Sequence, residues 1–186
     1  MPKDQYKEKE EREGVCIVHL DGALNEEMDA YECVECSMPV SDYSEAAVSE
    51  AYAAWKTAMA NRGLARAKRE VLKKIDAYDI SPAVNGFVLN GAEVWLDFEL
   101  RDRVYQGNER LQRIGRTDTT LWLGNKCYNL SIEQVQNIIS HIEAYAKDCY
   151  NVTAAHKKAV NELTDIGEVL GYDYTKGYPE KLTMTV

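Results

Sequence analysis

Apolar side chains recur along much of this chain at the three- and four-residue spacing of an α-helix. From Ser44 onward, one stripe contains Val48, Tyr52, Trp55 and Met59. After Asn61-Arg62-Gly63 the stripe resumes on a shifted face, at Leu64, Ala67, Val71, Ile75 and Tyr78. A shifted stripe after a glycine indicates either a second helix or one helix that bends at Gly63. The pattern predicts a helical connector over residues 45–77.

The longest helical pattern begins at Ser131. Ser131 and Gln134 have the spacing of a capping box, in which each side chain bonds the backbone N–H of the other. The apolar stripe that follows contains Val135, Ile138, Ile139, Ile142, Tyr145, Cys149, Val152, His156, Val160 and Leu163. A continuous helix of this length would extend about 48 Å. One small domain can hardly cover it, so we expect part of the stripe to pack on the connector helix or on another subunit.

Strand patterns occupy shorter stretches. Asn90-Gly91 separates two β-rich runs, and this dipeptide is the strongest short signal for a hairpin. Gly124-Asn125 separates two further runs, 119–123 and 126–130, and we predict that both hairpins share one small sheet. Between them Asp97 caps a helix that Gly115 ends. Its predicted inner face consists of Leu100, Val104, Leu111 and Ile114.

The start of the chain gives weaker patterns. Residues 1–13 are rich in Lys and Glu, which predicts a frayed arm or a short solvated helix. Residues 15–20 read as a short strand that ends in a turn at Asp21-Gly22. Together the elements predict an α+β fold that is mostly helical, with a long connector helix, a small β-hairpin sheet and a long C-terminal helix. We divide it into an acidic attachment segment (1–43), the helical connector (44–77) and an α+β domain (78–186).

Charge is concentrated near the N-terminus. Residues 1–50 carry 14 Asp and Glu against 4 Lys and Arg, whereas residues 51–186 carry 17 against 18. An acidic surface repels phosphate, so nucleic acid is not a predicted partner. The basic residues between Lys56 and Lys74 fall on the connector and predict a solvated helix face.

No apolar run approaches the roughly 20 residues that cross a bilayer, so no membrane association is predicted. The charged first residues predict no signal peptide and hence a reducing compartment.

Two closely spaced pairs of side chains together supply the four ligands that a structural zinc site requires, namely Cys16-x-x-His19 and Cys33-x-x-Cys36. Neither pair has the glycine-bearing turn that lets backbone amides meet the thiolates, and Cys16 and His19 lie within a predicted strand. We therefore interpret the cysteines as thiols and predict no metal, with zinc as the alternative.

Other candidate chemistry also has a plainer interpretation. His141 and Cys149 are two helical turns apart, roughly 12 Å, so they do not predict a nucleophile with its base. We expect His141 at the edge of the core and His156 in a buried hydrogen-bonded group with Tyr145 and Tyr172. Asp148 and His156 lie on the same predicted helix as His141 and Cys149, and this set is not interpreted as a metal site. The acid pairs Glu10-Glu11 and Glu26-Glu27 are interpreted as solvated charge, and no phosphate-binding glycine motif occurs. No catalytic residue, cofactor or enzymatic activity is therefore predicted. Six aromatics are assigned to the core and not to a glycan groove: Tyr78, Trp95, Trp122, Tyr128, Tyr145 and Tyr150.

The order of these motifs resembles a known family. The motifs are the basic connector helix, the Asn-Gly hairpin, Trp95-Leu96-Asp97 before a helix, Thr119-Thr120-Leu121-Trp122, the stretch from Tyr145 to His156, and Gly177-Tyr178-Pro179. Together they resemble a domain of unknown function found in phage tail-fibre and tail-fibre-assembly proteins, in particular the forms carried by phages and prophages of gut Bacteroidales. The resemblance covers about residues 65–182, with a weaker likeness around Tyr31–Pro39.

The resemblance implies a role in the virion or in its assembly, and it transfers no active-site residue. The first expectation is a non-enzymatic structural protein of the tail, made in the bacterial cytoplasm, that binds tail or fibre proteins in the virion. An assembly chaperone absent from the mature particle is the alternative, and a peptidoglycan or glycan hydrolase is the weakest. The long stripe from Ser131 to Leu163 predicts self-association or an obligate partner, and because tail fibres are commonly trimeric, the resemblance makes a trimer the first expectation.

Overall fold

The computed structural model describes all 186 residues and confirms the α+β prediction. The helices are α1 (Glu45–Asp79), α2 (Phe98–Arg113), α3 (Ile132–Glu162) and α4 (Ile166–Leu170). The strands are β1 (Lys9–Arg12), β2 (Val15–Asn25), β3 (Ala30–Pro39), β4 (Phe87–Leu89), β5 (Ala92–Val94), β6 (Asp118–Leu123), β7 (Lys126–Ser131) and β8 (Thr183–Met184). None of the helices is both long and apolar enough to cross a lipid bilayer.

Two compact units divide the chain, and the boundary falls within α1. The N-terminal unit is Met1–Gly63 and the C-terminal unit is Leu64–Val186. The N-terminal unit therefore contains the predicted attachment segment 1–43 together with the first part of the predicted connector. Helix α1 runs through Gly63 without interruption, so the connector is one helix and not two.

The N-terminal unit is built on an antiparallel sheet in the order β1-β2-β3. Glu13 and Gly14 link β1 to β2, and their positive φ angles of 52° and 81° are those of a type I′ turn. The prediction of a frayed arm or helix for residues 1–13 is therefore wrong. Only Lys3–Gln5 form a short 3-10 turn, and β1 follows it because a tight turn returns the chain onto β2.

Strand β2 is longer than predicted because Asp21-Gly22 forms a bulge and not a terminal turn. Leu20 pairs with Val34 and Ala23 pairs with Glu32, so two residues of β2 lie opposite one residue of β3. Asp21 takes a positive φ of 54°, which accommodates the extra residue within the strand. Strand β3, which the sequence did not predict, then pairs with β2 over its whole length.

One face of this sheet packs on the start of α1. Ser44 caps the helix by accepting the Ala47 N–H at 3.0 Å, and Val48 is buried. A shallow cavity of about 270 Å³ lies beside Val48 and Val18 of β2. Beyond this point the predicted apolar stripe is only partly covered, with Tyr52 and Met59 half-buried and Trp55 42% accessible, because the sheet covers only the first turns of the helix.

In the C-terminal unit, α1 covers the distal part of α3. Ala67, Val71 and Ile75 form a buried cluster with Val160 and with Val169 of α4. The Lys157 ammonium lies 2.6 Å from the Asp76 carboxylate at the rim of this cluster. The long stripe of α3 is thus covered within the chain, so its length does not by itself require a second subunit.

The two predicted hairpins are both present, but they do not share a sheet. Asn90 and Gly91 have φ angles of 50° and 77° and join β4 to β5, as predicted. Strand β8 pairs in parallel with the other edge of β4, which completes a sheet in the order β5-β4-β8. The β6–β7 hairpin therefore forms a separate two-stranded sheet, and the single-sheet prediction is wrong.

The main core lies between these sheets and the first half of α3. Its buried members are Phe87, Leu89, Leu96, Leu121, Leu123, Val135, Ile138, Ile139 and Ile142. The capping box at Ser131 and Gln134 is present, and the Asp97 side chain caps α2 by accepting the Leu100 N–H at 2.7 Å. Ile114, predicted on the inner face, is 76% exposed, because it is the C-cap of α2 and leaves the helical conformation.

Candidate functional site

The four candidate zinc ligands do not converge. Side chains alternate between the faces of a strand, so Cys16 and Cys36 lie on the face that packs on α1, and His19 and Cys33 lie on the other face. The His19 Nδ1–H donates to the Lys7 carbonyl oxygen, which accounts for this buried ring. No group of three or more His, Cys, Asp or Glu side chains is placed to hold a metal ion.

The histidines and the cysteine of α3 are also separate from one another. His141 is exposed, as is Asp148, whereas Cys149 is buried and contacts the cluster of Val84 and Tyr145. Burial raises the pKa of the Cys149 thiol, and a protonated thiol is a poor nucleophile. These side chains therefore offer no arrangement for covalent catalysis.

His156 belongs to a hydrogen-bonded group that holds the C-terminal segment on α3. Its Nε2 lies 2.8 Å from the Lys176 carbonyl oxygen, which only accepts, so Nε2 carries the hydrogen. Its Nδ1 then accepts from the Tyr172 hydroxyl, also at 2.8 Å. The predicted Tyr172 partner is confirmed, but Tyr145 is not a partner, since its hydroxyl is directed toward Cys149.

A second polar chain links three segments of the C-terminal unit. Thr153 donates its hydroxyl hydrogen to the Asp79 carboxylate at 2.7 Å, and the Tyr178 hydroxyl therefore donates to Thr153 at 2.8 Å. Burial raises the pKa of Tyr178. Asp79, Thr153 and Tyr178 each have a hydrogen-bond partner within the fold. We therefore interpret this hydrogen-bonded group as a structural connection between α1, α3 and the segment after α4.

A groove of about 400 Å³ between α2 and α3 is the best candidate for a binding surface. It is lined by Phe98, Arg101, Asp102, Tyr105, Ile139, Ser140 and Glu143, and we call it the Phe98 groove. Ile139 is 3% exposed and supplies an apolar floor, whereas Phe98 is 67% exposed and stands at the rim. An exposed aromatic beside a preformed apolar depression is typical of protein-binding sites.

An ion pair between a buried arginine and a partly exposed glutamate forms the wall of the Phe98 groove. Arg101 is 5% exposed, and its Nε donates to Glu143 Oε1 at 2.6 Å while Nη1 donates to the Leu96 carbonyl oxygen at 2.6 Å. The guanidinium carbon lies 5.2 Å from the Trp95 ring centroid and 5.9 Å from that of Phe98. Cation–π contacts at these distances help to fix the orientation of both rings. These contacts form within the chain itself, so the shape of the groove does not depend on a partner.

The charged side chains around Phe98 are of both signs, since Glu99, Asp102, Arg103 and Arg110 line an adjoining depression. Arg101 is neutralised by Glu143, while Asp102 is exposed and forms no ion pair. The groove has room for one large apolar side chain above Ile139.

The remaining sequence-based candidates lie at the surface or in the core. The acid pairs Glu10-Glu11 and Glu26-Glu27 occupy β1 and an exposed turn, and the basic residues of α1 from Arg62 to Lys74 are mostly exposed, as predicted. The core assignment is wrong for Trp122 and Tyr150, which are 63% and 61% exposed. Trp122 alternates with the buried Leu121 and Leu123, so the strand period directs it outward.

The sequence did not reveal the Phe98 groove or its buried arginine. Arg101 and Asn108 are seven residues apart on α2, which places both on one helical face, and both are buried. The Asn108 side-chain nitrogen has no hydrogen-bond partner. Polar residues at such spacing ordinarily indicate a solvated helix face, so the sequence pattern favoured exposure of Arg101 and Asn108 and not their burial.

No known protein family, curated protein or solved structure matches this chain.

Proposed function

We propose that the chain is a non-enzymatic structural protein of a bacteriophage tail, associated with the tail fibre or baseplate, that attaches protein partners in the virion. The order of motifs that resembles tail-fibre and tail-fibre-assembly proteins supports the setting. The Phe98 groove supports the attachment role and is the observation that carries it. The partners are tail or fibre proteins, and the resemblance adds a trimer as the first expectation for self-association.

The physical case for attachment rests on preorganisation. Binding is weakened when flexible side chains must be ordered, and a rigid anchor site reduces that cost. The ion pair of Arg101 with Glu143 and the ring contacts of Phe98 fix the groove in the free protein. Such a site binds one large apolar side chain of a partner with little rearrangement, which suits a stable interface between two proteins of the virion.

The alternative is an assembly chaperone for the fibre. A chaperone would use the same groove, but only until the fibre is mounted. The difference lies in the fate of the protein and not in its surface chemistry.

Quantitative mass spectrometry of gradient-purified particles separates the two roles. Particles of the phage or induced prophage that encodes the chain should contain it in a fixed ratio to the tail proteins. Absence from particles, combined with co-purification with fibre protein from infected cells, would replace the virion role with the chaperone role. Absence from both would contradict the proposal as a whole.

A further inference from the structure

The outer edge of β3 is an open strand edge over most of its length. The sheet order β1-β2-β3 leaves one side of β3 without a neighbouring strand. Met1 and Pro2 occupy only its beginning, where the backbones of Met1 and Tyr31 exchange hydrogen bonds of 3.0 and 2.8 Å and Pro2 bridges Ala30. Residues 32–39 have no such cover.

The backbone groups along this edge alternate in direction. Because Tyr31 bonds outward to Met1, the N–H and C=O groups of Cys33, Glu35 and Ser37 also point outward. None of these three amides has a partner elsewhere in the chain. Unpaired rows of this kind accept an added strand unless the protein protects them.

The opposite edge of the sheet is protected, which makes the open edge of β3 distinctive. Strand β1 has four residues, all charged, and ion pairs of 3.8 Å join Lys9 to Glu11 and Arg12 to Glu10. Short, charged edge strands resist pairing. Strand β3 has ten residues, and its only charged side chains are Glu32 and Glu35.

Apart from the Met1 ammonium at the start of the edge, the charged side chains of this part of the chain are all acidic. Residues 13–55 contain 10 Asp and Glu and no Lys or Arg. Glu32 accepts a hydrogen bond from the Asn25 side chain at 2.9 Å, and neither Glu32 nor Glu35 has a Lys or Arg beside it. A second copy of the chain would bring further carboxylates to the edge, whereas a basic segment would neutralise them.

We propose that the open edge of β3 binds an extended, basic protein segment as a fourth, antiparallel strand. The antiparallel direction is the one that Met1 and Pro2 already take against Tyr31 and Ala30. Lys or Arg residues three positions apart in the segment lie opposite Glu35 and Glu32, one on each face of the sheet. This inference rests on the proposed attachment function and assigns the acidic unit its own partner chemistry.

A peptide titration tests the inference with purified protein. The probe is an eight-residue peptide of valine and threonine with lysine at its fifth and eighth positions, which face Glu35 and Glu32 when the peptide covers residues 32–39. The protein carries its tag at the C-terminus, because an added N-terminal tag would run along the same edge. We expect saturable binding that weakens with salt, and absence of binding would overturn the inference.

Two variants separate strand pairing from charge. Ser37→Pro removes an outward N–H that bonds nothing in the chain and should abolish binding without lowering the melting temperature. Glu35→Lys should lower the affinity for the lysine peptide and raise the affinity for a peptide with glutamate at its fifth position. We expect each affinity to change about two- to fivefold. Unchanged binding by both variants would overturn the inference.

Amide hydrogen exchange identifies the bonded positions directly. On binding, the amides of Cys33, Glu35 and Ser37 should slow by about tenfold or more, while those of Val34 and Cys36, already bonded to β2, should change little. Equal slowing of all five amides would contradict strand addition. Sedimentation of the protein as a dimer that Ser37→Pro dissociates would also contradict the inference, because the edge would then bind a second copy of the chain. The proposed function stays separately testable, because the protein can be found in particles whether or not the peptide binds.

Discussion

Arg101 is the residue that most determines the shape of the Phe98 groove. Its charge is buried, whereas the carboxylate of Glu143 is 44% exposed. Water can therefore replace the guanidinium beside Glu143, but it cannot readily replace the carboxylate beside Arg101. This asymmetry distinguishes the two partners of one ion pair.

Removing Glu143 should consequently destabilise the protein more than removing Arg101. Glu143→Ala leaves a buried charge without its counter-ion and should cost about 3 kcal/mol of unfolding free energy. Arg101→Met leaves the Leu96 carbonyl oxygen unpaired but fills the space, and should cost about 1–2 kcal/mol. Urea unfolding of both variants gives the comparison. The reverse order would show that the guanidinium is well hydrated.

Ionisation of the Tyr145 hydroxyl should destabilise the protein at alkaline pH. Burial raises the pKa of its hydroxyl to about 12, and Cys149 contributes further to the rise. An unfolded tyrosine ionises near pH 10, so the full contribution is present below about pH 10 and declines as the pH rises toward 12. Tyr145→Phe should flatten the decline measured by urea unfolding between about pH 10 and 12. Tyr150→Phe, at an exposed position, should leave it unchanged, and equal slopes for all three proteins would contradict the argument.

At the residue scale, sequence patterns located apolar positions better than polar ones. The inward assignment was correct for Tyr145, which shares a helical stripe with Ile142 and Cys149. It was wrong for Trp122, where the strand period outweighs the size of the ring. Arg101 could not be predicted as buried, because its burial depends on a carboxylate 42 residues away in the chain.

The structural elements are defined largely by their ends. Asn90-Gly91, Asp97 and Ser131 act through their own backbone geometry and hydrogen bonds, and each forms the predicted turn or cap. Strand β8 pairs with β4 across more than ninety residues of sequence, so no local pattern indicated it. Asp21-Gly22 has the composition of a turn, but pairing with β3 converts it to a bulge.

The capping box at Ser131 should contribute measurably to the stability of α3. Its hydroxyl accepts the Gln134 N–H at 3.0 Å, and the Gln134 side chain accepts the Ser131 N–H at 2.8 Å. Ser131→Ala should lower the unfolding free energy by about 1 kcal/mol. Ser140→Ala in the same helix is the control and should be neutral, because its hydroxyl bonds only a carbonyl one turn earlier. Equal effects of both substitutions would contradict a capping role.

At the scale of the whole molecule, the C-terminal unit should fold without the N-terminal sheet. The buried clusters of the C-terminal unit are formed entirely by residues after Gly63. A chain of residues 44–186 retains them together with the Ser44 cap, so we expect a single cooperative unfolding transition by circular dichroism. If this truncated chain fails to fold, the N-terminal sheet is required for the core and the division is wrong.

Self-association stays a prediction at this scale. It began from the length of the α3 stripe, which α1 and α4 cover within the chain. The trimer is now supported by the family resemblance alone.

The most direct test of the attachment role is the retention of groove variants in assembled particles. Phe98→Ser and Tyr150→Ser each remove one aromatic ring of similar exposure, 67% and 61%, and only Phe98 belongs to the groove. Phage carrying each variant would be grown, purified and quantified by mass spectrometry against wild-type particles, after circular dichroism has shown that both variants fold. We predict that particles lose most of the Phe98→Ser protein and retain the Tyr150→Ser protein at the wild-type ratio. Equal retention of the two variants would contradict the claim that this groove attaches the protein to the tail.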